Sequence, residues 1–365
     1  MTLVEEKTLN KQQLEAVTHG SGPLLIIAGA GTGKTTVVTE RVKWLISQGL
    51  AQPSEILCLT FTEKAATEMQ ERIDVALPYG YTQMWVSTFH SFCDRILRDE
   101  GLHLGLDTNY KLLTDTDAVS LLKKHLFDFK LDYYRPLGNP AKFLTAILQH
   151  FSRLQDEDIN PPQYLSWSKD QDPNYQELSQ LYLDYSILKA KEGVMDFSDL
   201  ITYTLKLFRD RSSVLKLYQQ KFKYLLVDEF QDTNYAQNEL IKLLAGDNCN
   251  ITVVGDEDQS VYKFRGASFS NMLDFRKTYP NTKLIVLSQN YRSTQEILDN
   301  AYTLIQNNNP DRLEVKEKID KKLISTRKVK GDKIEFFHFD RVESEADAVA
   351  KKIKDLLVPS AQSLV

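Results

Sequence analysis

Six short apolar segments constrain the fold of this chain more than any other feature. Each ends in small or polar residues, and they are PLLIIAG at 23–29, ILCLTFT at 56–62, MWVSTF at 84–89, YLLVDEF at 224–230, ITVVGD at 251–256 and KLIVLS at 283–288. Continuous apolar runs of this length are typical of strands that are buried on both faces of a parallel sheet. Helical patterns lie between them, such as the one that ends at Gly49. The alternation predicts an α/β fold with a mostly parallel sheet.

In the middle of the chain this alternation stops, and helical patterns follow one another. One helix is expected to begin after Thr114 or Thr116 as its N-cap. A second is expected to have Asn139 as its cap and Pro140 at its first position. A third, long helix is expected to end at Gly193. These patterns predict an all-helical subdomain.

The patterns divide the chain into three parts. Residues 106–193 form a helical subdomain inserted into an α/β domain, which is made of residues 1–105 and 194–282. Residues 283–365 begin a further unit, in which residues 332–357 are expected to form one strand and one helix.

The stretch AGAGTGKTT follows the first strand and opens a helix; it comprises Ala28, Gly29, Ala30, Gly31, Thr32, Gly33, Lys34, Thr35 and Thr36. It fits the phosphate-binding pattern G-x-x-x-x-G-K-[ST], except that Ala28 fills the first glycine position. Small residues let backbone N–H groups converge on phosphate, and a helix N-terminus favours negative charge. Lys34 is expected to neutralise the β- and γ-phosphates, and the Thr35 hydroxyl to bind Mg²⁺. The alternative interpretation is a glycine-rich turn without a ligand.

Two acidic residues, Asp228 and Glu229, stand at the end of the strand LLVDEF. Ligands of open α/β sheets bind at the carboxyl edge of the strands. Asp228 suits a Mg²⁺ contact, and Glu229 suits the orientation and deprotonation of an attacking water. A solvated strand end is the alternative, but together with the phosphate loop the pair favours nucleotide hydrolysis.

Charge and composition restrict the partners. The 365 residues include 45 basic and 50 acidic side chains, for a net charge of −5, so nucleic-acid binding would need a local groove. Three scattered cysteines argue against a disulfide framework or a structural zinc site. Neither an apolar signal segment nor a run of eighteen apolar residues is present, which predicts a cytoplasmic protein without a membrane partner.

Seven strings occur in a characteristic order: LNKQQLEAV, AGAGTGKTT, LTFTEKAATEM, STFHSF, LLVDEFQDTN, VVGDEDQSVYKFRGA and LSQNYRSTQEIL. Together they resemble the UvrD/Rep (PcrA-like) type of superfamily 1A DNA helicases, over residues 9 to about 305. The resemblance implies a RecA-like P-loop NTPase domain, 1A, with the helical insertion as subdomain 1B. The start of a second RecA-like domain, 2A, would follow.

The resemblance also implies roles around ATP. Gln13 would read the adenine edge, and Tyr291 would stack near adenine. Gln259 would sense the γ-phosphate, and Arg292 would stabilise its transition-state charge. An arginine on the far side of a domain cleft suits that role, because its positive charge stabilises the negative charge that spreads over the transferring phosphoryl group.

The positions that match DNA-contacting motifs of the family are Thr60, Phe61, Thr88, His90, Tyr262, Phe264 and Arg265. Three departures from the family pattern stand out. Position 63 is Glu where the family usually has Asn, and Phe264 replaces a usual Trp. Thr36 stands where many members have an Arg that packs against adenine. These departures bear on DNA contacts and nucleotide affinity.

The function implied is ATP-dependent movement on single-stranded DNA, or at a junction with duplex, in the 3′-to-5′ direction, with DNA-repair proteins as partners. Residues 283–365 contain neither the later arginine motif of 2A nor subdomain 2B, so we expect the ATP-binding half of a helicase with weak activity on its own. Two alternatives are the helicase part of an AddA- or RecB-like repair complex, and a non-catalytic fragment that binds ATP or DNA.

A basic segment, KKLISTRKVKGDK at 321–333, could follow a DNA backbone. The acidic residues of EVKEKID just before it offset its charge, so we interpret it as a solvated charged run.

Overall fold

The computed structural model describes residues 9–75, 84–246, 250–260 and 269–357. Within these ranges the strands, in chain order, are β1 Leu24–Ala28, β2 Ile56–Thr60, β3 Trp85–Thr88, β4 Lys111–Leu112, β5 Val194–Met195, β6 Tyr224–Val227, β7 Ile251–Gly255, β8 Lys283–Leu287, β9 Gln289–Asn290 and β10 Ile324–Ser325.

The α-helices of the same ranges are α1 Lys11–Val17, α2 Lys34–Ser47, α3 Glu63–Asp74, α4 Phe89–Glu100, α5 Asp115–Lys124, α6 Leu144–Asp156, α7 Pro161–Ser168, α8 Pro173–Glu192, α9 Phe197–Asp210, α10 Ser212–Lys221, α11 Tyr235–Ala245, α12 Phe269–Thr278, α13 Gln295–Ile305, α14 Leu313–Lys316 and α15 Val342–Leu357. None of these helices is both long and apolar enough to cross a bilayer.

Six strands form the central sheet, in the order β3-β2-β6-β7-β1-β8, and every neighbouring pair is parallel. They are the six segments that the sequence predicts, so the α/β fold with a mostly parallel sheet is confirmed. Alternate residues of β1 enter separate apolar clusters, Leu25 and Ile27 in one and Leu24 and Ile26 in the other. The strands are therefore buried on both faces, which explains their unbroken apolar sequences.

The strand β8 pairs with β1 along its whole length, for example Ile27 with Val286. It therefore belongs to the same sheet as the strand that precedes the phosphate loop. The domain limits proposed from the sequence, with a boundary at residue 283, stay a prediction, but the first strand beyond that boundary extends the first sheet.

The middle of the chain is a helical unit around its own apolar core, which includes Leu122, Phe151 and Tyr182. Helix α5 begins at Asp115 because the Thr114 hydroxyl accepts from the backbone N–H of Asp117, so Thr114 rather than Thr116 is the cap. Helix α8 ends at Gly193, as expected, where φ is +64°.

One helix start in this unit is wrong in the sequence interpretation. Helix α6 begins at Leu144, not after Asn139 and Pro140. The backbone N–H of Lys142 donates to the Asn139 carbonyl, and that of Leu144 to the Ala141 carbonyl. These three-residue turns replace the four-residue repeat of an α-helix, so the proline begins a turn here.

The two ends of the helical unit lie side by side in a short neck. Strand β4, just before the unit, pairs in parallel with β5, just after it. The N–H of Lys111 donates to the Gly193 carbonyl, and that of Leu113 to the Met195 carbonyl.

The last part of the chain agrees only partly with expectation. Helix α15 is present, but the strand expected before it is not formed. Phe336 and Phe337 of that segment are exposed, and no strand within the described ranges pairs with it. An extended segment becomes a strand only where a neighbour supplies backbone hydrogen bonds, which explains the difference.

Candidate nucleotide and nucleic-acid sites

Three neighbouring strands of the sheet, β6, β7 and β1, lead into the residues predicted to bind nucleotide. Because the strands are parallel, their carboxyl ends meet at one edge. A cleft of about 670 Å³ opens there, lined by Leu9, Gln13, Ala30, Gly31, Gly33, Lys34, Thr35, Thr36, Glu68, Arg72, Glu229, Gln259, Tyr291 and Arg292.

The phosphate loop depends on two glycines with left-handed backbones. Gly31 has φ +79° and Gly33 has φ +91°, a region that other residues rarely adopt. A Cβ at Gly33 would lie 2.9 Å from Nε2 of Gln13, and one at Gly31 would lie 2.6 Å from Cβ of Arg292. No side chain caps helix α2, so its first N–H groups are available to phosphate oxygens.

The side chain of Lys34 joins the ends of two other strands. Its Nζ lies 2.8 Å from Oε2 of Glu229 and 3.3 Å from Oε1 of Gln259. Glu229 itself has φ +51°, and Gln231 donates to its Oε2 at 2.8 Å. The left-handed backbone of Glu229 places its carboxylate on the Lys34 ammonium, next to the loop that would hold phosphate.

Two more carboxyl groups lie near this lysine. Burial and the neighbouring Glu229 raise the pKa of Asp228 to about 7, against the lowering effect of Lys34. The same causes raise the pKa of Asp232 to about 6, and one of its carboxylate oxygens is buried without a hydrogen-bond partner among the residues that the structure describes. The Thr35 hydroxyl and the Glu229 carboxylate line the cleft, and oxygen ligands of these kinds suit a small divalent cation.

At the other end of the cleft, α1, the phosphate loop and the segment after β8 contact one another. Nε2 of Gln13 donates to the Thr32 carbonyl at 2.9 Å. The amide of Asn10 donates to the Tyr291 hydroxyl at 2.8 Å, and the Tyr291 N–H donates to the Gly31 carbonyl at 2.9 Å. Gln13 and Tyr291 thus flank the phosphate loop from two separate parts of the chain.

A second depression, of about 330 Å³, lies at the carboxyl ends of β2 and β3. Its lining includes Phe61, Glu63, Thr88, His90, Ser91 and Phe197. The Glu63 carboxylate accepts from the hydroxyls of Thr88, at 2.8 Å, and Ser91, at 2.6 Å. Burial lowers the pKa of His90, and Glu63 opposes that shift. The depression therefore holds aromatic faces beside a carboxylate.

Comparison with known proteins gives the family. The family model for the UvrD/REP helicase N-terminal domain matches residues 9–280, and that for the UvrD-like helicase C-terminal domain matches residues 285–364. The chain belongs to the UvrD/REP helicase family.

Individual UvrD/REP relatives agree with this assignment. The ATP-dependent DNA helicase PcrA of Bacillus subtilis is 42% identical over 350 residues, which are 95% of this chain and 45% of that protein. The protein of the same name from Leuconostoc citreum is 41% identical over 352 residues, or 95% of this chain and 44% of the relative. The ATP-dependent DNA helicase PcrA of Staphylococcus aureus is 39% identical over 345 residues, which are 94% of this chain and 45% of that protein. The chain spans less than half the length of these relatives.

Several UvrD/REP site residues predicted from the sequence do not line either depression. Ala28 and Thr32 are fully buried, and the Thr32 hydroxyl donates to the Gly29 carbonyl at 2.8 Å. Asp228 lies beneath the nucleotide cleft, only 4% exposed, and Thr60 is buried at the end of β2. Gly29 faces Leu323 on a neighbouring cavity. The remaining predicted DNA contacts lie outside the described residues: Tyr262, Phe264 and Arg265.

Other residues at the nucleotide cleft were missed from the sequence. Asn290, which is fully buried, donates to the Ala30 carbonyl at 2.6 Å and accepts from the N–H groups of Arg292 and Ser293. Asn290 stands in the UvrD/REP string QNYRS, directly before Tyr291 and Arg292, to which the sequence analysis gave roles. That position was the sequence feature from which Asn290 could have been predicted. Arg72 of α3 also lines the cleft, but a charged position on an exposed helix gave no signal.

The interpretation of residues 321–333 as a solvated charged run is wrong for its first member. Lys321 is only 8% exposed, because its ammonium contacts carboxylates that follow β7. Lys322, the next residue, is exposed, and its Nζ lies 3.5 Å from Oδ1 of Asp299.

Proposed function

We propose that this chain binds ATP with Mg²⁺ and couples ATP hydrolysis to movement on single-stranded DNA, in the 3′-to-5′ direction. The observation that supports it best is the convergence of Lys34, Glu229 and Gln259, from three strand ends, beside a glycine loop. The PcrA relatives, which are named ATP-dependent DNA helicases, support this reading over an AddA- or RecB-like one.

The contacts of Lys34 suggest how the site would respond to ATP. Phosphate oxygens would compete with Glu229 for the lysine ammonium, because both are anions within reach of the same cation. The Glu229 carboxylate, once released, is the base that can orient and deprotonate water. Gln259 would exchange its contact with Lys34 for one with the γ-phosphate.

Further residues would complete the transfer. Arg292 is exposed in the cleft wall opposite the phosphate loop, where it can stabilise charge on the transferring phosphoryl group. Mg²⁺, when bound with ATP, would be held by Thr35 and Asp228 and would neutralise phosphate charge. Gln13 and Tyr291, which line the same cleft, would contact the base.

For DNA, the depression that contains Phe61 and His90 is the proposed contact surface on β2 and β3. Aromatic faces can stack on bases with about 1–3 kcal/mol per base and little sequence preference. This surface and the nucleotide cleft share one edge of the sheet, at the ends of neighbouring strands β2 and β6.

The test is steady-state ATP hydrolysis with and without single-stranded DNA. Lys34→Ala should abolish turnover, while Lys43→Ala on the same helix, which removes a surface pair with Glu40, should not. Equal turnover in the two variants would refute the proposal. ATP affinity without turnover would select the binding-only alternative, and the expected weak activity of the isolated chain is measured by the same assay.

A further inference from the structure

Three consecutive acidic residues follow β7, and they converge on one lysine. The Nζ of Lys321 lies 2.7 Å from Oδ1 of Asp256, 2.6 Å from Oε1 of Glu257 and 2.7 Å from Oδ2 of Asp258. The three carboxylates are close enough together to hold a metal ion. The positive charge among them is instead the ammonium of Lys321, which comes from a different part of the chain.

A second basic side chain from the same part of the chain, that of Arg312, completes the cluster. Arg312, which is 2% exposed, donates to both carboxylate oxygens of Asp258, at 2.8 and 2.7 Å, and to Glu314 at 2.6 Å. The N–H of Leu313 donates to Oε1 of Glu257 at 3.0 Å. Residues 312–321 therefore hold all three acids.

The side chain of Gln259 connects the cluster to the nucleotide cleft. Oδ1 of Asp256 contacts Lys321, while Oδ2 accepts a 2.6 Å hydrogen bond from Nε2 of Gln259. With its amide nitrogen bound there, Gln259 turns its Oε1 towards Lys34. The rotamer and the amide orientation of Gln259 thus depend on where the Asp256 carboxylate is held.

We propose that Lys321 is a positioning residue for nucleotide sensing: it holds Asp256, which orients Gln259 towards the γ-phosphate. This inference rests on the proposed function and extends it to the segment after β9. A shift of residues 312–321 would move Asp256, and with it the amide that contacts Lys34. In this way the segment that follows Tyr291 and Arg292 can influence which nucleotide the cleft prefers.

The competing account is that the cluster only stabilises the fold. Buried ion networks can often be replaced by apolar groups without loss of stability, so stability alone does not require six charged groups beside Gln259, which is compatible with a positioning role. A stability measurement cannot separate the two accounts, because both predict that removing Lys321 leaves uncompensated carboxylates. Nucleotide preference separates them, since only positioning changes recognition of the γ-phosphate.

The experiment compares the dissociation constants of ADP and of a non-hydrolysable ATP analogue by titration calorimetry. Lys321→Met should reduce the preference for the triphosphate by about tenfold, as expected for one hydrogen bond to a charged group. Gln259→Ala should reduce it similarly. The double variant should lose no more than Gln259→Ala alone, because one side chain acts through the other.

Two further variants serve as controls for this experiment. Lys321→Met combined with Glu257→Gln removes one charge of each sign, so it serves if the single variant fails to fold, as checked by circular dichroism. Lys322→Met removes an exposed neighbouring lysine and should leave the preference unchanged. A folded Lys321 variant with the wild-type preference, or additive losses in the double variant, would overturn the inference alone. A wild-type chain that binds neither nucleotide would overturn the proposed function and this inference with it.

Discussion

The side-chain amide of Asn290 donates a 2.6 Å hydrogen bond to the Ala30 carbonyl, and this contact ties the segment of Tyr291 and Arg292 to the phosphate loop. The Asn290 side-chain oxygen accepts from two backbone N–H groups on the same segment. This buried amide and the Tyr291 N–H, which donates to the Gly31 carbonyl, therefore both hold two walls of the nucleotide cleft together.

Replacement of Asn290 by Ala should destabilise the fold by about 1–3 kcal/mol, because a buried carbonyl and two N–H groups lose their partner. It should also weaken ATP binding, since the wall that carries Arg292 is no longer fixed. Chemical denaturation and ATP titration measure the two effects. Asn300→Ala is the control, because that amide lies on an exposed helix surface and donates to the Glu296 carbonyl of the same helix. Similar stabilities for the two variants would contradict the role given to Asn290.

Replacement of Gly33 by Ala should reduce ATP affinity and destabilise the chain. The residue has φ +91°, which costs other residues about 1–2 kcal/mol, and the added methyl would lie 2.9 Å from Nε2 of Gln13. Two controls separate these causes by denaturation and ATP titration. Gly49→Ala shares a positive φ, at +66°, but has open space around it, whereas Gly138→Ala has open space and no such φ. If Gly33→Ala resembles Gly49→Ala in ATP affinity, the contact with Gln13 is unimportant.

The stability of the fold should depend on pH through Asp156 at the end of α6. Burial raises the pKa of this carboxyl to about 7, although Asn234 donates to it at 2.6 Å and lowers it. A raised acid pKa means that the stabilising contribution is complete below the unfolded value and is lost as pH rises to about 7. Asp156→Asn should therefore gain stability relative to wild type between pH 4 and 7, by at most about 1.4 kcal/mol per pH unit.

Urea denaturation at several pH values measures this difference for Asp156→Asn and for Asp170→Asn, an exposed control on a turn. A constant difference between Asp156→Asn and wild type across that range would show that the Asp156 carboxyl does not hold its proton in the folded chain.

Replacement of Glu63 by Gln should strengthen binding to single-stranded DNA. Glu63 lies with Asp94 in the depression that contains Phe61 and His90, and carboxylates repel phosphate. Loss of one charge should raise affinity by about fivefold at low salt, the equivalent of roughly 1 kcal/mol between charges 4 Å apart in water. Fluorescence anisotropy measures the affinity, with Glu71→Gln on the same helix as the control. No gain in affinity would argue that DNA does not approach this depression.

The sheet could be predicted from the sequence because its signals are local. Each central strand is an unbroken apolar run, and the parallel arrangement follows from the helices between them. The failures depend on neighbours: the segment before α15 has a strand-like sequence but no adjacent strand within the described ranges. At Asn139 a turn uses the same residues as a helix start, so cap and proline alone could not distinguish them.

The lining of the cleft was predictable where its residues follow apolar strands closely, as Lys34, Glu229 and Gln259 do, and their roles there stay predictions. Lys321 was not predictable, because its partner Asp256 is 65 positions earlier and the surrounding charges resemble a solvated run. Local charge patterns do not show which lysine of a pair is buried. Residues 312–321 contact the acids that follow β7 only through the packing of distant parts of the chain.

The neck between β4 and β5 has a consequence for how such a chain can change in evolution. The chain enters the helical unit through β4 and leaves it through β5, and these strands lie one strand spacing apart, about 5 Å. The helical unit could therefore be gained, lost or exchanged without a change in the path of any strand of the central sheet. Its own apolar core makes it a self-contained module. Variation in that module can therefore accumulate while the six strands of the central sheet and their order stay unchanged.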